Sequence, residues 1–211
     1  MSGDNKAKVR VAVLVSGGGT NLQALIDAQK SNGLDGCEIV CVISSKPGVF
    51  ALERAKAAGI PSAVVDRSEY SSSEEFDAAI LKCLSDFNAE LVILAGFLRI
   101  LGPTVLNRFP RRILNVHPSL IPSFCGDGFY GLKVHEAALN YGVKVTGATV
   151  FYVNEITDGG EIILQKAVDV LDGDTPQILQ KRVMEQAEWI ILPKATVIAA
   201  KEILKDKESS L

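Results

Sequence analysis

The chain has 211 residues, of which 47% are hydrophobic and 22% are charged, and this balance favours one globular domain with a buried core. Because 22 Lys and Arg residues stand against 25 Asp and Glu residues, the net charge is −3, which disfavours general binding to nucleic acids or anionic membranes. The four cysteines form no CxxC pair and only two histidines are present, so no metal site is expected. No apolar run reaches the roughly 18 residues that span a bilayer, and the first eight residues are polar, so we expect a cytoplasmic protein.

The first half of the sequence alternates between strand and helix patterns. Short β-branched runs predict buried parallel strands, and segments with apolar residues at helical spacing lie between them. The predicted strands are residues 9–15, 38–43, 61–65, 90–95 and 113–116, and the predicted helices are 21–30, 49–58, 73–88 and, further on, 132–140. This alternation requires right-handed βαβ crossovers. We therefore expect an α/β fold with a Rossmann-like, mostly parallel twisted sheet flanked by helices.

The pattern changes near residue 146. Two strand-like runs, 146–153 and 161–168, are separated by a gap too short for a crossover helix, so they predict an antiparallel C-terminal hairpin. Residues 175–205 are predicted to form a long helix with Asp174 or Thr175 as its N-cap and a break near Pro193. The predicted organisation is a polar tail over residues 1–8, a single domain over 9–204 and a frayed tail over 205–211.

A glycine-rich loop, Ser-Gly-Gly-Gly-Thr-Asn at residues 16–21, directly follows the first predicted strand. Glycines between a parallel strand and a helix let the backbone approach an anion, which the free N–H groups of the helix N-terminus then bind. The loop predicts a phosphate site, but it lacks the patterns of dinucleotide and ATP loops. A tight turn capped by Thr20 or Asn21 would explain the same sequence.

Two polar side chains, Asn115 and His117, interrupt the last predicted parallel strand. Because side chains alternate along a strand, both lie on one side of its carboxyl end, where open α/β sheets bind ligands. Asn can donate a hydrogen bond to a developing oxyanion and His can exchange a proton, which suits addition to a carbonyl carbon. A nearby carboxylate, such as Asp158 at the predicted hairpin tip, would favour the imidazolium form. Taken singly, a buried structural histidine and a common Asp-Gly-Gly turn explain these residues equally well.

Four motifs in this order resemble the folate-dependent formyltransferase superfamily. They are the glycine-rich loop, Gly-Phe-Leu-Arg-Ile-Leu at 96–101, Asn-Val-His-Pro-Ser-Leu-Ile-Pro at 115–122, and Asp-Gly-Gly at 158–160. Over residues 9–204 the chain looks like the phosphoribosylglycinamide formyltransferases of that superfamily, since its length leaves no room for the additional domains of other members. The resemblance implies formyl transfer from the co-substrate N10-formyltetrahydrofolate to the amine of 5-phosphoribosylglycinamide in de novo purine biosynthesis, with no metal.

The resemblance also implies roles for individual residues. Asn115, His117 and Asp158 would be catalytic, and Gly19, Thr20 and Asn21 would hold the substrate phosphate. Glu188 would contact the ribosylglycinamide portion, provided that one residue is inserted relative to the commoner family spacing. The folate would be held by Asn115 and by two segments: Leu98, Arg99, Ile100 and Leu101; and Asn154, Glu155, Ile156, Thr157 and Asp158.

The chain departs from the family at several positions. Ser73 stands where members often carry an arginine for the folate glutamate tail, so Arg99 would carry more of that recognition. Phe151 replaces a second histidine, which leaves His117 as the proton carrier. By analogy, the Ile121–Pro122 peptide is expected to be cis. Loop 124–130, which is longer than in many members, is either a cover over the site or a plain surface loop.

Other positions and functions stay open. His135 is expected to be structural, and Arg54 to be a surface charge. A formyltransferase acting on another amine, such as a sugar nucleotide, and a binding module that senses a sugar phosphate or a folate are both compatible with the motifs. The partners would be small molecules only, and the chain could be a monomer or a homodimer.

Overall fold

A computed structural model describes residues 8–209 of the protein, and within this range seven strands form one mixed sheet. The strands are β1 (Val9–Val15), β2 (Cys37–Ser44), β3 (Ser62–Val64), β4 (Leu91–Leu94), β5 (Ile113–His117), β6 (Val145–Tyr152) and β7 (Ile162–Asp169). Their order is β3-β2-β1-β4-β5-β6-β7. The five strands from β3 to β5 run parallel, whereas β6 and β7 are antiparallel to their neighbours. The predicted fold class and the predicted hairpin are confirmed.

The helices follow the predicted pattern closely. They are α1 (Thr20–Lys30), α2 (Phe50–Ala57), α3 (Ser73–Asp86), α4 (Pro103–Leu106), α5 (Leu132–Tyr141), α6 (Pro176–Val183) and α7 (Trp189–Ser209), with a 3-10 turn at Arg67–Glu69. The short helix α4, with a proline in its first turn, was not predicted. Across residues 8–209, none of the helices has the length and apolar character needed to cross a bilayer.

Side chains alternate along each strand, so both faces of the sheet carry side chains, and helices pack against each face. In β1, Val11 and Val13 pack into a hydrophobic cluster with residues of α1 and α7, while Ala12 and Leu14 pack into a second cluster with residues of α3 and α4. All four side chains are fully buried. Helices cover both faces of the sheet. Ligands can therefore reach it at the ends of its strands, and these ends determine where a site can form.

The C-terminal helical region is irregular, as predicted, but the break does not lie at Pro193 itself. Thr175 caps α6, because its side chain accepts a hydrogen bond from the Ile178 N–H. A π-helical segment, Met184–Glu188, then separates α6 from α7, and Pro193 lies inside α7. Proline cannot donate to the carbonyl four residues earlier, that of Trp189, which directly follows the π segment.

The structure describes part of each predicted tail. Helix α7 continues to Ser209, so residues 205–209 are helical where the sequence predicted a frayed tail. Residues 210 and 211, and the first seven residues of the predicted N-terminal tail, lie outside the described residues.

Candidate active site

The predicted site residues come from loops that follow parallel strands. The glycine-rich loop follows β1, residues 96–101 follow β4, and β5 ends in His117. Strands β1, β4 and β5 are neighbours in the sheet, so these three segments meet at one edge, formed by the carboxyl ends. The hairpin of β6 and β7 brings Asp158 to the same region, because β6 pairs directly with β5.

His117 and Asp158 form the pair that the sequence predicted. The Nδ1 atom of His117 lies 3.5 Å from Oδ2 of Asp158, and the histidine side chain is only 6% exposed. The Nε2 atom of His117 lies 2.8 Å from the Phe124 carbonyl oxygen. The Asp158 carboxylate also accepts a hydrogen bond of 2.9 Å from the Gly126 N–H. Because both ring nitrogens face oxygen acceptors, an imidazolium ring can donate to both.

Asn115 lies on the same strand, two residues before His117, and its side chain is half-buried while the intervening Val116 packs into the core. Its neighbours across the sheet are Leu94 on β4 and Phe151 on β6. Phe151, where the resemblance would place a second histidine, is fully buried. The site therefore offers one amide and one imidazole at the end of β5, as predicted.

The glycine-rich loop leaves the N-terminus of α1 open. Gly19, and not Thr20 or Asn21, occupies the N-cap position with a left-handed φ of 70°, and within residues 8–209 no side chain caps this helix. A Cβ atom on Gly19 would lie 2.7 Å from the Ala51 Cβ, so glycine is required both by φ and by packing. The uncapped N–H groups of the first turn are available to an anion.

Arg54 braces this loop, although only a surface charge was predicted at this position. Its Nε atom donates a hydrogen bond of 2.8 Å to the Gly18 carbonyl, and one terminal nitrogen donates to the Gln23 side chain. The guanidinium group also lies 4.8 Å from the ring centre of Phe50. No local signal could have indicated this role, because it depends on how α2 packs against the loop.

Asn21 and Glu188 meet beside the loop. The Nδ2 atom of Asn21 donates a hydrogen bond of 2.6 Å to Oε2 of Glu188, and both side chains are buried. Burial raises the pKa of Glu188 to about 7, although the hydrogen bond from Asn21 acts in the opposite direction. In the described part of the chain, Oδ1 of Asn21 is buried without a hydrogen-bond partner. Such a buried, unsatisfied acceptor indicates a position that a ligand group can complete.

The π segment explains how Glu188 reaches this position. The resemblance places Glu188 in the site provided that one residue is inserted before it, and a π turn contains more residues than an α turn. Glu188 is the last residue of the π segment and is 6% exposed. A π segment is thus the kind of backbone that accommodates an additional residue, and Glu188 still contacts Asn21.

The two predicted folate segments expose apolar side chains. Leu98, Ile100 and Ile156 are 57%, 80% and 67% exposed, which is typical of a binding surface. Several hydrogen bonds hold or border these segments. Oδ2 of Asp77 accepts a hydrogen bond of 2.6 Å from the Gly102 N–H, and Oδ1 of Asn154 accepts one of 2.9 Å from the Ile156 N–H.

The hairpin tip also borders a cavity of about 510 Å³. Asn154, Glu155 and Ile156 line it from one side, and residues from 106 to 111 line it from the other. Residues 98–101 do not contribute to this cavity, so it is not the slot predicted between the two folate segments.

Arg99 and Lys46 both lie close to Asp66. The pKa of the Asp66 carboxyl is lowered mainly by hydrogen bonds from Ser68, and the positive charges of Arg99 and Lys46 add to this effect.

A buried hydrogen-bond network, which the sequence did not reveal, holds the turn after His117. The Thr149 hydroxyl donates to the Ser119 carbonyl (2.7 Å) and accepts from the Ile121 N–H (3.1 Å) and from the Gln165 side chain (3.0 Å). The Ile121–Pro122 peptide in this turn is cis, as expected. Ser, Thr and Gln at these spacings carry no recognisable pattern, because the fold alone brings them together.

His135 is buried in α5, in agreement with the expected structural role. Burial, with a smaller contribution from His117, lowers its pKa to about 4. Neither ring nitrogen has a hydrogen-bond partner in the part of the chain that the structure describes. Over the same residues, no group of three or more His, Cys, Asp and Glu side chains could hold a metal ion.

The structure is an α/β fold with one mostly parallel sheet flanked by helices, and Asn115, His117 and Asp158 lie together at the carboxyl end of β5. Residues 9–196 match the family described as formyl transferase. The chain is 42% identical over 184 residues to phosphoribosylglycinamide formyltransferase of Haemophilus influenzae, covering 87% of this chain and 84% of that protein. The chain therefore belongs to the formyl transferase family, and the predicted resemblance is confirmed.

Larger relatives and solved structures agree with this assignment. The chain is 47% identical over 193 residues to the trifunctional purine biosynthetic protein adenosine-3 of Gallus gallus; this covers 92% of this chain but only 18% of that protein's length. The structure of glycinamide ribonucleotide transformylase 1 from Symbiobacterium toebii matches with a TM-score of 0.87 and 41% identity, covering 96% of this chain and 94% of that one. The structure of phosphoribosylglycinamide formyltransferase from Brucella melitensis matches with a TM-score of 0.83 and 41% identity, covering 92% and 96%.

Proposed function

We propose that this enzyme transfers the formyl group of N10-formyltetrahydrofolate to the amine of 5-phosphoribosylglycinamide. The products are formylglycinamide ribonucleotide and tetrahydrofolate, and the reaction belongs to de novo purine biosynthesis in the cytoplasm. The observation that carries the proposal is the contact of His117 with Asp158 beside Asn115, next to an open helix N-terminus that can bind a phosphate. The names of the relatives support the choice of both substrates.

In the proposed reaction the amine nitrogen attacks the formyl carbon and the carbonyl oxygen becomes an oxyanion. The Asn115 amide and the Nε2–H of protonated His117, which exchanges the Phe124 carbonyl for the substrate, donate hydrogen bonds to that oxygen and so stabilise the tetrahedral intermediate. The intermediate collapses when the bond between carbon and N10 breaks and N10 takes a proton from Nε2 of His117. The attacking nitrogen then gives its proton to the neutral His117, which restores the imidazolium ring. The Asp158 carboxylate, 3.5 Å from Nδ1, holds the imidazole ring in the orientation that the proton transfer needs.

Substrate binding is assigned to the two neighbouring segments. The backbone N–H groups of Gly19, Thr20 and Asn21 bind the phosphate of 5-phosphoribosylglycinamide, and Glu188 accepts hydrogen bonds from its ribosylglycinamide portion. These residues are already joined by the hydrogen bond from Asn21 to Glu188. The pair orients the amine relative to the bound phosphate, because Asn21 is the last residue of the phosphate loop.

The folate is assigned to the apolar surface at the hairpin tip. The segment Leu98–Leu101 and the segment Asn154–Asp158 supply backbone groups for the pterin and apolar side chains to cover it. Arg99 lies at the rim, where it can meet the carboxylates of the folate tail. Both substrates are anions while the chain carries a charge of −3, so binding depends on these local groups and not on the overall field.

The decisive experiment follows the absorbance of N10-formyltetrahydrofolate after 5-phosphoribosylglycinamide is added. The wild-type protein should show the change, and His117→Ala should lower the rate by at least about 100-fold, since general acid catalysis contributes that much or more. Circular dichroism and thermal unfolding of the variant control for its folding. Near-normal turnover in His117→Ala would contradict the assignment of the proton carrier.

Two further outcomes distinguish the competing functions. Formyl transfer to the amine of a sugar nucleotide, but not to 5-phosphoribosylglycinamide, would replace the proposed acceptor. Binding of both ligands by calorimetry without any product would indicate a sensor and not an enzyme of this reaction.

A further inference from the structure

Ser16 joins the phosphate loop to the folate segment through two hydrogen bonds. Its backbone N–H donates to the Gly96 carbonyl at 3.1 Å, and its hydroxyl oxygen accepts from the Leu98 N–H at 2.9 Å. The residue is buried, with 5% of its surface exposed. Ser16 directly follows β1 and begins the phosphate loop, whereas Gly96 and Leu98 lie in the segment that follows β4. The two proposed ligand segments are therefore connected by one residue.

A third contact joins the Ser16 hydroxyl to Ser45. Its oxygen lies 2.6 Å from the hydroxyl oxygen of Ser45, which is fully buried and whose backbone N–H donates to the Val15 carbonyl at 3.1 Å. Either hydroxyl can donate in this pair, because the Ser16 oxygen has two lone pairs and the Leu98 N–H uses only one. The Ser16 oxygen therefore accepts from Leu98 whichever serine donates to the other.

The loop after Ser16 is braced on its other side. The Gly17 carbonyl accepts from the Ala51 N–H at 3.2 Å, and the Gly18 carbonyl accepts from the Arg54 side chain at 2.8 Å. A loop that is braced along α2 cannot relax freely when a phosphate binds. An adjustment of its backbone is therefore passed to Ser16 and, through the hydroxyl, to the Leu98 N–H. The Leu98 side chain itself is exposed on the proposed folate surface.

We propose that Ser16 is a positioning residue that couples the two substrates, so that each substrate binds more tightly when the other is present. This inference rests on the proposed function, because it takes residues 17–21 and 98–101 as the two ligand segments. Coupling between sites is reciprocal, and values of about 5-fold to 150-fold are typical. We expect at least about 5-fold coupling in the wild-type protein.

The coupling can be measured without turnover by using tetrahydrofolate, which has no formyl group to transfer. Isothermal titration gives its dissociation constant with and without saturating 5-phosphoribosylglycinamide, and the ratio of the two constants is the coupling factor. Ser16→Ala should reduce this factor to less than about 2-fold, because the Leu98 N–H loses its acceptor on Ser16. Ser45→Ala is the matched control: it removes the same hydroxyl pair but keeps the acceptor for Leu98, so the coupling should persist.

The ratio separates coupling from a purely structural effect. A loss of stability alone would raise both dissociation constants by the same factor and leave their ratio unchanged. Independent binding in the wild-type protein, or full coupling in Ser16→Ala, would overturn the proposal. If Ser16→Ala does not fold, Ser16→Cys replaces it, because the thiol is a weaker acceptor than the hydroxyl. The coupling factor of Ser16→Cys should be smaller than that of the wild type but greater than 1. An undiminished factor would contradict the inference.

The same measurements distinguish a failure of the proposed function from a failure of the coupling. If neither ligand binds to the wild-type protein, both the function and the coupling are wrong. If both ligands bind and the formyl group is transferred but the constants are independent, only the coupling is wrong.

Discussion

Replacing Glu188 with glutamine should make the protein more stable at alkaline pH while impairing its proposed substrate site. The Glu188 carboxyl is buried, and burial raises its pKa from the ordinary value of 4.5 to about 7. In the unfolded chain the carboxyl ionises near 4.5, whereas in the folded chain it keeps its proton to about 7. Ionisation therefore favours the unfolded state over this window, and the stability of the wild-type protein falls as pH rises from about 4.5 to about 7.

The magnitude follows from the difference between the two pKa values. Each unit corresponds to about 1.4 kcal/mol, so a difference of about 2.5 units costs the folded protein about 3 kcal/mol above pH 7. Glutamine is neutral at every pH, and its side-chain oxygen can still accept the hydrogen bond from Asn21. The free energy of unfolding of Glu188→Gln should therefore exceed that of the wild type by about 2 to 3 kcal/mol at pH 8, and by much less at pH 5.

Urea unfolding at pH 5 and pH 8 measures this difference directly. Glu185→Gln is the matched control, since Glu185 lies in the same π segment but is exposed to solvent. The control should change stability by less than about 0.5 kcal/mol at both pH values. An equal effect of Glu188→Gln at pH 5 and pH 8 would refute the reasoning, because a pH-independent change cannot come from ionisation of the carboxyl.

Two further substitutions test the elements that support the site. Gly160→Ala should destabilise the protein by at least about 2 kcal/mol in thermal or urea unfolding, and it should lower turnover. The reason is that a Cβ at this position would lie 1.6 Å from the Tyr152 carbonyl oxygen and force the hairpin tip to shift. Wild-type stability of this variant would contradict the packing. Thr175→Ala should cost about 1 kcal/mol without affecting turnover, since it removes the N-cap of α6, and Thr175→Ser should restore the loss. If both Thr175 variants were equally unstable, the cap would not be the cause.

The order of strands and helices was predictable because it is encoded locally. The β-branched run at β1 and the helical spacing of Phe76 and Ile80 in α3 are visible in a few consecutive residues, and both elements form as expected. The placement of Asn115 and His117 was predictable for the same reason: a two-residue spacing in a strand puts them on one side. The pairing of His117 with Asp158 was less certain without the resemblance, because His117 ends β5 while Asp158 lies in the loop between β6 and β7, and their contact depends on how the hairpin pairs with β5.

Other parts of the site could not be read from the sequence because they involve backbone atoms or distant partners. The Phe124 carbonyl contacts Nε2 of His117, and the Gly126 N–H contacts Asp158, yet every residue has a carbonyl and nearly all have an N–H. The π segment has no side-chain signature either. Its effect is visible only in the direction of Glu188, and the inserted residue was the sole hint of it.

The buried carboxyl of Glu188 also bears on how a protein of net charge −3 can hold a phosphate. An ionised carboxylate beside the phosphate loop would repel the dianion, and low polarity around it would strengthen that repulsion. Because burial raises the Glu188 pKa to about 7, a substantial fraction of these carboxyls is protonated at neutral pH, which weakens the repulsion. The Asn21 amide further screens the ionised fraction by donating to Oε2. The proposed affinity for 5-phosphoribosylglycinamide should therefore fall as pH rises through 7, in the same window in which the protein loses stability.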